Sequence, residues 1–264
     1  MQADLDTGFR DLDRILGGLR PGTLTLVSAL PGYGAQTFLL GIAAHVAAQR
    51  HRPVTILTVV APREEVAGCF DALVSSSGGY LNMPSMPDRQ RLLLANRAEV
   101  TLRLLPVTIV ELGGSLPHLR DMALKLHADR PSDLLVVLGP LEALSTGSRG
   151  PLSRWSRTVG EPVAVTAGLR QLACELQVPL LLQSGVSAAA RERVDRRPRL
   201  SDLPAEGRIA RHCDTILFLS SLDEPPAHAT GGSPAQVIIA HSRHGPLDAI
   251  VLRFCTIHHR FENP

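Results

Sequence analysis

The chain has 264 residues and a formal net charge of +2, so charge balance alone makes no case for a nucleic-acid partner. Hydrophobic residues make up 44% but aromatics only 3%, so a core of the size this length allows must be built from Ala, Leu, Val and Ile. No apolar run reaches the ~18–20 residues of a membrane span and no signal peptide is visible, which sets the expectation of a soluble, cytoplasmic protein.

The elements follow in chain order. Residues 24–29 form an apolar run of β type, followed by a turn rich in Pro and Gly. A helix is expected over 38–48 and a strand over 54–60. Residues 62–76 read as a helix, with Pro62 in the first turn and Glu64 and Glu65 at its positive start. A helix over 89–99, a short strand over 104–108 and a helix over 116–127 with Ser115 as N-cap come next. Residues 134–138 are all apolar, as in a strand buried on both faces. A helix over 163–176, then strands over 179–183, 215–219, 236–241 and 249–254, complete the pattern. The stretches 145–162 and 222–234 have loop composition. The alternation predicts an α/β fold: a mainly parallel sheet flanked by helices, with an antiparallel edge at the C-terminal end. No repeat and no clear domain boundary is visible.

Strand, glycine-rich turn and helix make up the context of a phosphate loop. Here the segment reads Pro31-Gly32-Tyr33-Gly34-Ala35-Gln36-Thr37. The two glycines are in place. An active loop also needs a lysine for the β/γ-phosphates and a hydroxyl for Mg²⁺. Those positions hold Ala35 and Gln36, and Thr37 comes one residue late, turned by about 100° on a helix. The sole lysine, Lys125, lies far along the chain and reads as a solvated helix residue. Taken in isolation, the segment also suits a strand–helix turn that uses glycine for geometry alone.

Three ordered stretches carry a resemblance. The first is Thr7-Gly8-Phe9-Arg10-Asp11-Leu12-Asp13-Arg14, with Gly17-Gly18-Leu19-Arg20-Pro21-Gly22 after it. The second is Arg196-Arg197-Pro198-Arg199-Leu200-Ser201-Asp202-Leu203, with Gly207 and Asp214. The third is Ile238-Ile239-Ala240-His241-Ser242-Arg243-His244-Gly245-Pro246, with Arg260-Phe261-Glu262-Asn263. Together they resemble the C-terminal motor domain of DnaB-type replicative helicases over roughly residues 7–264. The resemblance implies a RecA-like P-loop NTPase fold. It also implies a single domain over 1–264, without that family's N-terminal domain.

The same resemblance assigns functional positions. The family's catalytic glutamate falls on Val60 and its Mg²⁺-binding aspartate on Gly139. Its sensing glutamine falls near Gly185, with Gln183 close but two residues out of phase. Its Lys-x-Arg finger pair, which reaches into a neighbour's site, becomes His241 and Arg243. No catalytic position is intact. The segment from Pro31 to Thr37 is vestigial, and Arg243 is the candidate trans arginine finger.

Arg191, Arg193, Arg196, Arg197 and Arg199 are candidates for DNA phosphate contact, or a solvated loop that keeps ancestral packing. Glu142 reads as a surface residue or a stray metal ligand. His241, His244, His258 and His259 lack the cysteine or carboxylate company of a metal site. Cys69, Cys174, Cys213 and Cys255 form no CxxC pair and read as small buried residues in a reducing compartment. The expectation is a non-hydrolysing binding or regulatory module with weak, Mg²⁺-independent ATP binding at most. Its expected partners are DNA, further copies of itself, or a mixed ring with an active DnaB-type helicase. Two other readings stay open: an ATP-dependent replicative helicase, and a sensor that binds nucleotide without hydrolysis.

Overall fold

A computed structural model describes residues 5–75, 88–147, 161–193, 197–221, 233–255 and 258–264. The loops expected at 145–162 and 222–234 fall largely outside these residues, and so does Arg196.

The helices are α1 (Arg10–Leu16), α2 (Ala35–Ala44), α3 (Arg63–Ser75), α4 (Asp88–Leu104), α5 (Leu116–Asp129), α6 (Glu161–Leu176) and the short α7 (Ala189–Glu192). The strands are β1 (Leu24–Ala29), β2 (Val54–Thr58), β3 (Val107–Glu111), β4 (Leu134–Leu138), β5 (Leu180–Gly185), β6 (Thr215–Ser221), β7 (Ser233–Ser242), β8 (Ala249–Cys255) and β9 (Arg260–Glu262). They form one sheet in the order β3-β2-β4-β5-β1-β6-β7-β8-β9. The pairs from β3 to β6 are parallel. The pairs from β6 to β9 are antiparallel. This is the expected layout.

Alternation along the strands splits the core in two. On β4, Leu134, Val136 and Leu138 join the layer that holds Phe38 of α2 and Phe70 of α3. Leu135 and Val137 face the opposite layer, with Leu119 of α5 and Leu169 of α6. Both faces are thus covered, which explains the unbroken apolar run.

Some boundaries differ from expectation. The strand expected at 104–108 lies at Val107–Glu111, because α4 runs on through Leu104. Helix α2 continues as a π-helical turn, His45–Gln49. Ser115 stands at the N-cap of α5, but its side chain makes no capping bond. Among the described residues, no helix is long and apolar enough to cross a membrane.

Candidate functional site

The parallel register puts the C-terminal ends of β1, β2, β4 and β5 on one edge. In open α/β sheets that edge forms the ligand crevice. The loop from Pro31 to Gly34 leaves β1 there and feeds α2. Gly32 and Gly34 have φ of 88° and 80°, the left-handed region that glycine adopts without strain. Gly34 is the N-cap of α2, so the free N–H groups of the first turn face the loop. Pro31 and Gly32 are exposed, and Tyr33 closes a turn by donating to Leu30 O at 3.1 Å. Ala35 is buried in the apolar layer, while Gln36 and Thr37 are half-buried.

The loop rests on an aromatic seat from the far end of the chain. A Cβ on Gly34 would lie 3.0 Å from the Phe261 ring and 3.6 Å from Phe254. Phe261 meets Phe38 edge-on at 5.5 Å, and Phe38 stacks on Phe9 at 4.8 Å. Four of the chain's six phenylalanines therefore gather beside one turn. Sequence reading missed this seat, because nothing local links residues this far apart.

At the end of β4, Gly139 has φ of 122°, and a Cβ there would sit 3.1 Å from Val59 Cβ. Val60 is 63% exposed, an apolar side chain turned to solvent beside the crevice. Glu142 is half-buried and reaches across to β5. Ser184 Oγ lies 3.4 Å from its Oε1 and 3.2 Å from Gly185 O, and Gly185 N–H approaches its Oε2 at 3.5 Å. Gln183 lies two residues before Gly185 on the same face of β5, its Oε1 buried and unbonded. Among the described residues, no three His, Cys, Asp or Glu side chains gather as metal ligands would.

Arg243 is not at this edge. Thr215, the first residue of β6, pairs with Ser242, the last of β7. Arg243 thus leaves the sheet at the end opposite the phosphate loop, about 20 Å away along the strands. Its Nε donates to Cys213 O at 3.2 Å, its NH2 group to Arg211 O, and Nε lies 3.6 Å from Asp214 Oδ1. His241 is inside the sheet with Nε2 buried and unbonded. Asp214 itself is 1% exposed, accepts Leu24 N–H at 2.8 Å and pairs with Arg170 Nε at 2.6 Å.

The arginine cluster divides. Arg191, Arg197 and Arg199 are exposed, and Arg197 donates to Gln236 Oε1 at 3.0 Å. Arg193 instead pairs with the buried carboxylate of Asp202. That guanidinium, helped by Arg199 N–H, holds the Asp202 carboxyl below its ordinary 3.8. A carboxyl that is more acidic folded than unfolded contributes stability above about pH 4, and the contribution fades as pH falls through the lowered value.

The family model for the DnaB-like helicase C terminal domain matches residues 4–263. The chain is 26% identical over 261 residues to the replicative DNA helicase DnaB of Buchnera aphidicola subsp. Schizaphis graminum, covering 98% of this chain and 55% of that protein. It is 27% identical over 268 residues to the replicative DNA helicase DnaC of Bacillus subtilis strain 168, covering 98% and 56%. The chain thus spans about half the length of the curated relatives it matches. A solved DnaB-like replicative helicase, studied with its interactions with primase, superposes with a TM-score of 0.81 at 21% identity, over 99% of this chain and 62% of that one. A second solved structure, an ATPase domain, gives 0.79 at 20% identity, over 100% and 93%. The chain belongs to the DnaB-like helicase C-terminal domain family, and its fold is that family's RecA-like α/β sheet.

Proposed function

We propose that this domain is a helicase-derived binding or regulatory module, serving DNA replication or related DNA transactions, that does not hydrolyse ATP. The end of β4 carries the reading. A carboxylate is needed there to hold Mg²⁺, but Gly139 has no side chain, and its φ and Val59 leave little place for one. The remaining positions agree. Ala35 is buried among apolar side chains where a lysine would meet phosphates. Gln36 stands for the hydroxyl and Val60 for the base. This set does not fit a Mg²⁺–nucleotide complex. The glycine turn still presents N–H groups at a helix start, which favours weak, Mg²⁺-independent binding of an anion.

A second reading, an ATP-dependent replicative helicase, is favoured by the match to replicative helicases over 98% of the chain. DNA-stimulated phosphate release separates the two. We expect no release above background. Release at the rate of an active DnaB-type helicase, abolished by Gly34→Leu, would establish the second reading instead. The same assay with an active DnaB-type helicase mixed in tests Arg243. A finger serving a partner's site in a mixed ring can be worth roughly 10³–10⁵ in rate. To act so, Arg243 must leave Cys213 O and Arg211 O. If the partner's rate is the same with wild type and with Arg243→Ala, the residue is structural.

DNA contact in this reading falls to Arg191, Arg196, Arg197 and Arg199, with Arg193 committed to Asp202. Arg197→Ala and Arg199→Ala are each expected to weaken single-stranded DNA binding at low salt and to flatten the salt dependence by roughly 0.7 in log–log slope. Arg193→Ala is expected to cost about 2 kcal/mol of stability and to leave that slope alone. A slope lost with Arg193 and kept without Arg197 and Arg199 reverses the assignment.

A further inference from the structure

The carboxylate of Glu142 has no part in the reading above, yet it sits in the crevice. It rides on a single 3-10 turn, Leu141–Ala143, just past β4. From there it reaches the end of β5, near Ser184 Oγ and Gly185 N–H. Gly185 pairs in register with Ala29, the last residue of β1, and the phosphate loop begins two residues later, at Pro31. Adjacent strands are ~4.8 Å apart, so the carboxylate lies one strand away from the loop.

Position 185 lies directly against it. A Cβ on Gly185 would stand 3.4 Å from Glu142 Oε1 and 4.0 Å from its carboxyl carbon. A longer side chain at 185 would compete for the space that the carboxylate fills. The small residue and the acid thus work as a pair: one vacates the end of β5, and the other covers it with negative charge. No lysine stands at the loop to offset that charge.

We infer that Glu142 is a built-in anion that keeps polyphosphates out of the crevice. This deepens the non-hydrolysing reading and rests on it for the lack of a cation at the loop. The N–H groups of the loop and of the first turn of α2 would still attract an anion weakly. A fixed carboxylate one strand away repels the same anion. The glycine turn is thereby retained for its geometry while its affinity for phosphate is suppressed.

The test is a charge series at one position: wild type, Glu142→Gln and Glu142→Lys. The probe is inorganic tripolyphosphate at low salt with EDTA, so neither a base nor a metal contributes. Calorimetry gives affinity, and the amide resonances of Gly32 and Gly34 report where the probe binds. Removing one unit charge at this range should tighten binding of a multiply charged anion roughly three- to tenfold, and Lys should tighten it further. High salt should compress the series. Equal affinities across the series overturn the inference, as does tightening without movement of the Gly32 and Gly34 resonances. Weaker binding in Glu142→Gln also overturns it. If the Lys variant does not fold, the isosteric Glu–Gln comparison decides alone. Phosphate release from Mg·ATP by wild type would break the non-hydrolysing reading, whereas a flat charge series leaves that reading standing and removes only this one.

Discussion

Asp214→Ala is expected to destabilise the fold by about 3–5 kcal/mol, the range for breaking a buried ion pair by removing one partner. The carboxylate is 1% exposed and serves three elements. It accepts Leu24 N–H at the start of β1, pairs with Arg170 on α6, and lies 3.6 Å from Arg243 Nε after β7. Truncation leaves the Leu24 N–H without its acceptor and the Arg170 guanidinium without its counter-ion. Asp214→Asn should lose less, because an amide oxygen can still accept from Leu24. Denaturant unfolding measures both. An alanine variant within about 1 kcal/mol of wild type would mean that the hub relaxes and the pair is dispensable. The effect bears on the site, because β1 carries the phosphate loop at its other end.

Restoring an aspartate at the end of β4 should fail, and visibly. Gly139→Asp places an L side chain at φ of 122° with its Cβ 3.1 Å from Val59 Cβ. Backbone strain of this kind costs of order 1–3 kcal/mol, and the crowding adds to it, so a loss of about 3 kcal/mol is expected. Val59→Ala in the same chain should recover little, because the crowding atom is Val59 Cβ, which alanine keeps. Neither variant should gain ATP turnover, since Ala35, Gln36 and Val60 remain unchanged. Unfolding curves and phosphate release check this together. A Gly139→Asp chain as stable as wild type that turns over ATP would show the site to be one substitution from activity.

The sequence carried the frame of this molecule further than its details. Five consecutive apolar residues at 134–138 required a strand covered on both faces, and β4 is one. The glycine turn between a strand and a helix also stood where expected. Boundaries were harder. Leu104 is apolar and 78% exposed, so its hydrophobicity suggested a strand where the chain is still helical. Arg193 and Arg197 look alike in sequence, and only the fold shows that one neutralises Asp202. Glu142 was legible as an acid near the crevice. Its reach to β5 depended on Gly185, which lies 43 residues later. The absence of a side chain at Gly139 could be read directly, but its φ could not.

The aromatic seat has a consequence for how the chain is made. Asn263 donates to Gly8 O, 255 residues away in sequence, and Phe261 beside it completes the support of Gly34. Translation at about 5–20 residues per second separates the two ends by on the order of ten to fifty seconds. During that interval β1 has emerged without either neighbour, since β5 and β6 are made late. β1, made before every other described strand, is therefore among the last to be secured. Its bare strand edges can pair with a neighbouring polypeptide on the same message until β5 and β6 leave the ribosome, and the loop it carries waits longer, for Phe261.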